Sequence, residues 1–366
     1  MSAIDLRSDT VTLPSPSMRE AMYRAELGDD VYGEDPTVNK LQEMAAERLG
    51  TEAALFVSSG TMGNLVSLLT HCGRGNEIIV GDQSHIILHE QGGAAALGGI
   101  FSRTVKNATT GELPLEEIAK LINFADDDHV AKTKLICLEN TWNGCVLKPA
   151  YMKSVAELAR KNGLAMHLDG ARVFNASVAL GLPVSEVVAK FDTVQFCCSK
   201  GLSAPAGSML CGPTDFIKEA KRNRKILGGG MRQVGVLAAA CIVALEEMVE
   251  RLAEDHLNAR LLADSIVGCK NIVIDPASVH TNIVIFEVTG DSALTADQLV
   301  TRFKEAGLLT LALDKTHIRA VTHYGITRKD VESAARIISN AMSEQRQEAR
   351  ATAGSSTRYG GTGANQ

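Results

Sequence analysis

The sequence is missing the features that mark several whole classes of protein. No apolar run approaches the roughly 18 residues needed to cross a bilayer, and the opening stretch MSAIDLRSDT has none of the apolar character of a secretory leader. A cytoplasmic location without membrane association is the resulting expectation. Basic residues are not in surplus: 37 Lys and Arg against 43 Asp and Glu leave a net charge of −6, which argues against a nucleic-acid partner. The eight cysteines (Cys72, Cys137, Cys145, Cys197, Cys198, Cys211, Cys241 and Cys269) include no CxxC pair. Several lie in apolar runs, so they are read as small buried hydrophobes rather than disulfides or metal ligands, and no metal is expected. GxGxxG and a Gly-Lys-Ser/Thr phosphate loop are both absent, which weakens any dinucleotide or nucleotide-hydrolysis reading. No internal repeat is visible.

What remains is ordinary globular composition, 45% hydrophobic and 22% charged, in 366 residues. That length exceeds one ordinary core and predicts a large domain with a smaller companion. Helix-period segments at 38–49, 62–72, 115–121, 151–162, 184–190 and 214–226 alternate with short apolar runs at 53–57, 77–80, 134–138, 165–168 and 193–197. Short β-rich strands separated by amphipathic helices predict an α/β fold: a mostly parallel sheet sandwiched by helices. After a helical stretch at 234–254 the pattern changes. Strand-like runs at 281–288, 308–313 and 317–321, with helices at 295–306 and 328–344, predict a smaller C-terminal α+β domain. The expected organisation is an N-terminal active-site segment (1–35), a large domain (36–254), a small domain (255–345) and a structureless tail (346–366) rich in Gly, Ser and Thr.

Three clusters carry chemistry. Ser58-Ser59-Gly60-Thr61-Met62-Gly63-Asn64 follows a strand and opens a helix. Glycine lets a ligand approach the backbone, and the Ser59 and Thr61 hydroxyls add donors beside the free N–H groups of the helix start. This suits a phosphate, although a helix entry without a ligand reads the same way. Next, His167-Leu168-Asp169-Gly170-Ala171-Arg172 closes an apolar strand with an acid. A buried carboxylate needs a cationic partner, either a protonated ring nitrogen of a ligand or Arg172 itself. Arg172 is alternatively placed to fork onto a substrate carboxylate. Finally, Thr193–Cys197 runs into Cys198-Ser199-Lys200-Gly201, a strand that ends in a lysine. Partly desolvated, such an amine loses its proton readily enough to form an imine. His85, in the turn Asp82-Gln83-Ser84-His85, stands where open α/β sheets bind ligands, or else caps a helix. His89, one helical turn on, is the expected neighbour of Glu90.

In this order the clusters resemble the threonine aldolase group of the β-eliminating lyases, within the fold type I enzymes that use pyridoxal 5′-phosphate. Matching stretches run from Leu6-Arg7-Ser8-Asp9-Thr10 through Gly28-Asp29-Asp30-Val31-Tyr32-Gly33-Glu34-Asp35-Pro36 and Gly228-Gly229-Gly230-Met231-Arg232-Gln233 to Val321-Thr322-His323. The resemblance implies that Lys200 holds the cofactor covalently, that Asp169 pairs with its ring nitrogen, and that His85 stacks on the opposite face of the ring. Ser59, Gly60 and Thr61 would hold the phosphate, with Lys225 and Arg232 completing that site from a neighbouring subunit. Ser8, Arg172 and Arg319 would bind the substrate carboxylate, with Tyr32 and Trp142 also at the substrate. A homo-oligomer with shared active sites, dimer or tetramer, and a small amino-acid substrate are implied too.

One departure bears on the reaction. In Glu139-Asn140-Thr141-Trp142-Asn143-Gly144, Trp142 stands where aldolases of the group typically carry histidine. The expected reaction is retro-aldol cleavage of L-threonine or L-allo-threonine to glycine and acetaldehyde. A bulky indole with one donor and no base also suits a smaller substrate and an alanine racemase of the same group. A non-catalytic relative of the fold is the remaining alternative.

Overall fold

The computed structural model describes residues 3–123, 127–289 and 294–356. It divides into a larger unit, residues 12–253, and a smaller one that joins the first 11 residues to the chain from Glu254 onward.

In the larger unit, seven strands form one sheet in the order Ala53–Val57, Ser208–Gly212, Thr193–Cys197, Ala165–Asp169, Lys132–Glu139, Asn76–Gly81, Phe101–Val105. Every pairing is parallel except the two made by Ser208–Gly212, which runs against both neighbours. Thr193–Cys197 and Ser208–Gly212 are buried along their whole length, as strands covered on both faces must be. The polar edge strand Phe101–Val105 is largely open, and neither it nor Ser208–Gly212 carries the apolar run that signals a strand.

The helices follow their sequence cues. Pro36–Leu49 begins at Asp35, whose carboxylate accepts from the backbone of Thr37 and Val38, and it has Pro at its first position. It ends on Gly50 at φ 67°, the left-handed conformation that relieves the last carbonyls. Its buried residues, Val38, Leu41, Ala45 and Leu49, recur every three or four positions. One apolar layer gathers Leu55, Val57 and Leu210 of the sheet with Val66, Ile217 and Ala220 of the helices. Another gathers Ile78, Val80, Leu135 and Cys137 with Leu68 and Ile86. The predicted helical stretch at 234–254 begins as an α-helix, Gly235–Val243, and widens into a π-turn over Ala244–Met248.

The smaller unit is built on an antiparallel sheet ordered Leu311–Ala312, His317–Val321, Ile283–Val288, Ile272–Val273. A separate parallel pair joins Ile4–Asp5 to Leu308–Leu309. Leu6 is fully buried with Leu262, Phe286, Phe303, Ile318 and Ile338. The first 35 residues therefore do not stand as a segment of their own: hydrogen bonding and burial draw residues 3–11 into the smaller unit. The last helix, Arg328–Ser356, also passes the expected limit at residue 345. Of the tail predicted to lack structure, 346–356 is helical and 357–366 lies outside the described residues. No helix among the described residues is long and apolar enough to cross a membrane.

Candidate active site

The central strand Ala165–Asp169 delivers Asp169 to its carboxyl end, nearly sealed from solvent. One carboxylate oxygen accepts from the Ala171 backbone at 3.1 Å. The other accepts from Asn64 Nδ2 at 2.8 Å. Asn64 sits in the first turns of Gly60–His71, so the helix that opens the phosphate cradle also fixes the buried acid. The same Asn64 nitrogen lies 2.8 Å from Glu90 Oε1, which in turn lies 2.8 Å from His85 Nδ1. His85 opens a short helix, His85–Leu88, and its backbone N–H donates to Glu139 Oε2 at 2.9 Å. Spacing makes His89 the expected neighbour of Glu90; the structure gives that carboxylate to His85, and the His89 ring lies 5.4 Å from the His85 ring.

Behind Asn64 the network continues. Its side-chain oxygen is 3.1 Å from His167 Nε2, and His167 Nδ1 is 2.9 Å from the Thr193 hydroxyl and 3.0 Å from that of Ser67. Burial lowers the His167 pKa to about 4, so this imidazole is neutral. Burial, helped by the nearby Asp169 charge, pushes Glu139 up to about 8. The hydrogen bond that His85 donates to Glu90, reinforced by Asp169, raises His85 against the opposing effects of burial and Lys200. Burial lifts the Glu90 carboxyl while the hydrogen bonds from His85 and Asn64 hold it down. These interactions place Asp169, Glu90, Glu139, His85 and Lys200 within electrostatic reach of one another. The ligand atoms of His85, Glu90 and Asp169 lie within 4.8 Å of each other, a closeness that their hydrogen bonds explain without a metal.

Lys200 follows Thr193–Cys197 and is half-buried. Its carbonyl accepts from Ser203 N at 2.9 Å and from the Thr12 hydroxyl at 3.2 Å, which anchors the turn that presents the amine. The phosphate cradle has the predicted form. Ser59 caps Gly60–His71, its hydroxyl accepting from Met62 N at 3.2 Å, and the first N–H groups of the helix point out of its end. A Cβ on Gly60 would lie 2.8 Å from Cys197 Sγ, and one on Gly63 would lie 2.5 Å from Gln195 Cγ. Glycine at both positions lets the helix start close against the strand that leads to Lys200. The donor set fits a molecule bearing a phosphate, an aldehyde and a basic ring nitrogen: a helix terminus, an amine and a buried carboxylate converge on one end of one sheet.

The other predicted residues occupy several places. Arg172 stands at the N-cap position of Val173–Leu180, just beyond Asp169, without a capping bond from its side chain. Trp142 is half-buried, its indole N–H donating to the Gln83 carbonyl at 3.3 Å, two residues before His85. Lys225, Arg232 and Tyr32 form a separate surface: Arg232 pairs with Asp29 at 3.0 Å and stands 6.0 Å over the Tyr32 ring, and Lys225 lies against Gly230. Ser8 and Arg319 belong to the smaller unit, where Ser8 accepts from Thr10 and Arg319 donates to the Arg7 carbonyl. Sequence reasoning missed Asn64 and Glu139 as site residues and did not give Glu90 a role.

Comparison with known proteins decides the family. The sequence matches the family described as Beta-eliminating lyase over residues 5–289. The chain belongs to that family. Among curated relatives, it is 47% identical to low-specificity L-threonine aldolase 1 of Arabidopsis thaliana over 93% of its length and 97% of the relative's. It is also 47% identical to the low specificity L-threonine aldolase of Escherichia coli K12, over 91% of this chain and 97% of that one. The fold is that of a solved Leishmania major threonine aldolase, with a TM-score of 0.78, 19% identity and coverage of 93% and 99% of the two chains. The beta-eliminating lyases of this fold type depend on pyridoxal phosphate, for which the cradle, Asp169 and Lys200 are suited.

Proposed function

We propose that this chain cleaves small β-hydroxy-α-amino acids, L-threonine and L-allo-threonine among them, to glycine and an aldehyde, with pyridoxal phosphate held by Lys200. The observation that carries the reading is the convergence of Lys200, Asp169 and His85 at the end of one sheet, in a chain nearly half identical to threonine aldolases. When bound, the cofactor supplies an electron sink for the bond at Cα that stands perpendicular to its ring. Asp169, held by Asn64 and the Ala171 N–H, would pair with the ring nitrogen. Ser59, Gly60 and Thr61 orient the phosphate, and Arg172 binds the substrate carboxylate.

The β-hydroxyl must lose its proton as the Cα–Cβ bond breaks. Trp142 has one donor, directed at Gln83, and no basic atom, so it takes no part in that transfer. His85 is the base. An indole at that position narrows the space beside the strand end, which restricts the group carried on Cβ.

A homo-oligomer working in the cytoplasm completes the proposal. Tyr32 and Ile226 are largely exposed, and Val31, Ile226, Lys225 and Gly230 line an open cavity of about 520 Å³. Apolar side chains ringed by basic ones suit a second subunit, to whose phosphate Lys225 and Arg232 would reach. All eight cysteines are free, in keeping with a reducing compartment.

The test incubates cofactor-loaded enzyme with L-threonine, L-allo-threonine and L-alanine, followed by chiral amino-acid analysis. Glycine and acetaldehyde from either threonine isomer, with L-alanine unchanged, is the expected outcome. Lys200→Ala should lose the absorbance of the lysine-bound cofactor together with activity. D-alanine accumulating from L-alanine, with little glycine from threonine, would overturn the lyase reading in favour of a racemase.

A further inference from the structure

Asn64 has one orientation open to it. Its nitrogen lies between two carboxylate oxygens, Glu90 Oε1 and Asp169 Oδ2, each at 2.8 Å, and its oxygen faces His167 Nε2. The two amide hydrogens therefore go one to each carboxylate, and the oxygen accepts the single proton of the neutral His167. Glu90 Oε1 is thus an acceptor on both sides, from Asn64 and from His85 Nδ1, and both hydrogen bonds favour the charged carboxylate against the burial that raises its pKa. Glu90 is 6% exposed, so its charge acts through little solvent. Other groups also face His85: Asp169 from the central strand, Lys200 beyond the neighbouring strand, Glu139 beneath its backbone N–H, and the His89 ring. Among them Glu90 bonds the ring itself.

We propose that Glu90 is a positioning residue of the reaction: its carboxylate keeps the His85 proton on Nδ1 and leaves Nε2 as the atom that exchanges a proton with substrate, while Asn64 ties Glu90 to the cofactor-binding Asp169. The inference rests on the reading of His85 as the base. It adds that this base is one end of a hydrogen-bonded chain, Asp169–Asn64–Glu90–His85, which reaches the carboxylate that serves the cofactor. The negative charge of Glu90 stabilises the protonated ring, so removing it makes His85 a weaker base that loses its proton at lower pH.

Glu90→Gln keeps the shape and one acceptor oxygen but removes the charge. In the cofactor-free protein, the His85 imidazole titration followed by NMR, assigned with His85→Asn, should move down by about one pH unit, a tenfold loss of proton affinity. In the loaded enzyme the acid limb of kcat/KM should move the same way, with kcat lowered by roughly tenfold to a hundredfold. Should Glu90→Gln not fold, Glu90→Asp, which retracts the charge, should give a smaller shift in the same direction. An unmoved His85 titration overturns the link, and a moved titration with an unmoved acid limb overturns the role in the reaction. Absence of cleavage by the unaltered enzyme sinks the reading of the function instead, and the NMR arm distinguishes that failure because it needs no turnover.

Discussion

A buried histidine that remains neutral makes a whole site sensitive to acid. His167 is fully enclosed, and burial lowers its pKa from 6.5 to about 4. His71, joined to it through the Thr193 hydroxyl, is lowered to about 3, first by burial and then by the His167 charge. A depressed pKa means that the unfolded chain takes up the proton first. The contribution of His167 is therefore complete above pH 6.5 and lost as pH falls through about 4, roughly 3 kcal/mol in all. Glu139 works oppositely: its pKa rises from 4.5 to about 8, so its contribution is full below 4.5 and fades as pH rises through 8. Urea unfolding at pH 7.5 and pH 4.5 should show that His167→Asn, though less stable at pH 7.5, loses less on acidification than the unaltered chain. An equal loss in both would show that His167 does not govern the acid limb of stability. At this scale the sequence discloses residues whose position is itself unusual, such as an acid or a lysine closing an apolar strand. Asp169 and Lys200 stand out for that reason. Asn64 on a helix and Glu90 in a polar turn look like any other polar residues, because the bonds Asn64 makes to Asp169 and Glu90 span 105 and 26 positions and only folding brings these groups together.

The strand Ala53–Val57 and the helix Gly60–His71 are joined by two residues, too few for the chain to swing away from the sheet. The helix start is instead pressed against Thr193–Cys197 at Gly60 and Gly63. A methyl group on Gly60 must displace Cys197 Sγ or the helix terminus itself. Gly60→Ala should cost roughly 1–3 kcal/mol in overpacking and weaken cofactor binding at least tenfold. Fluorescence titration with pyridoxal phosphate checks the second effect, and unchanged affinity would show that this turn does not shape the cradle. Elements with a strong period were readable in advance: Leu115–Leu121 and Thr214–Ile226 fall at the predicted limits, and Ala53–Val57 and Thr193–Cys197 do likewise. Ser208–Gly212 was not, since Met209-Leu210-Cys211, after a Gly- and Pro-containing loop, is too short an apolar run to signal a strand. It runs antiparallel to both neighbours, and the ten residues (198–207) that separate it from Thr193–Cys197 are too few for the crossover that a parallel pairing would need.

For the whole molecule, the change of pattern near residue 254 is visible in the sequence, and the division of the chain falls there. The membership of the first residues is not, because Ile4 and Leu308 pair across 303 intervening positions. Leu6 carries that connection: its N–H donates to the Leu309 carbonyl, its carbonyl accepts from Val321 N, and its side chain is fully buried. Leu6→Ala should cost the smaller unit about 2–5 kcal/mol, seen as faster amide exchange in Ile283–Val288 and His317–Val321 while strands of the larger unit such as Thr193–Cys197 keep their protection. Uniform loss of protection would contradict the assignment of Leu6 to the smaller unit. The same pairing sets a clock on the ribosome. At the usual ~5–20 residues per second, residues 3–11 leave the exit tunnel some tens of seconds before Leu308–Leu309 and His317–Val321 exist to receive them. During that interval the larger unit can complete its sheet, while residues 3–11 wait for strands made much later.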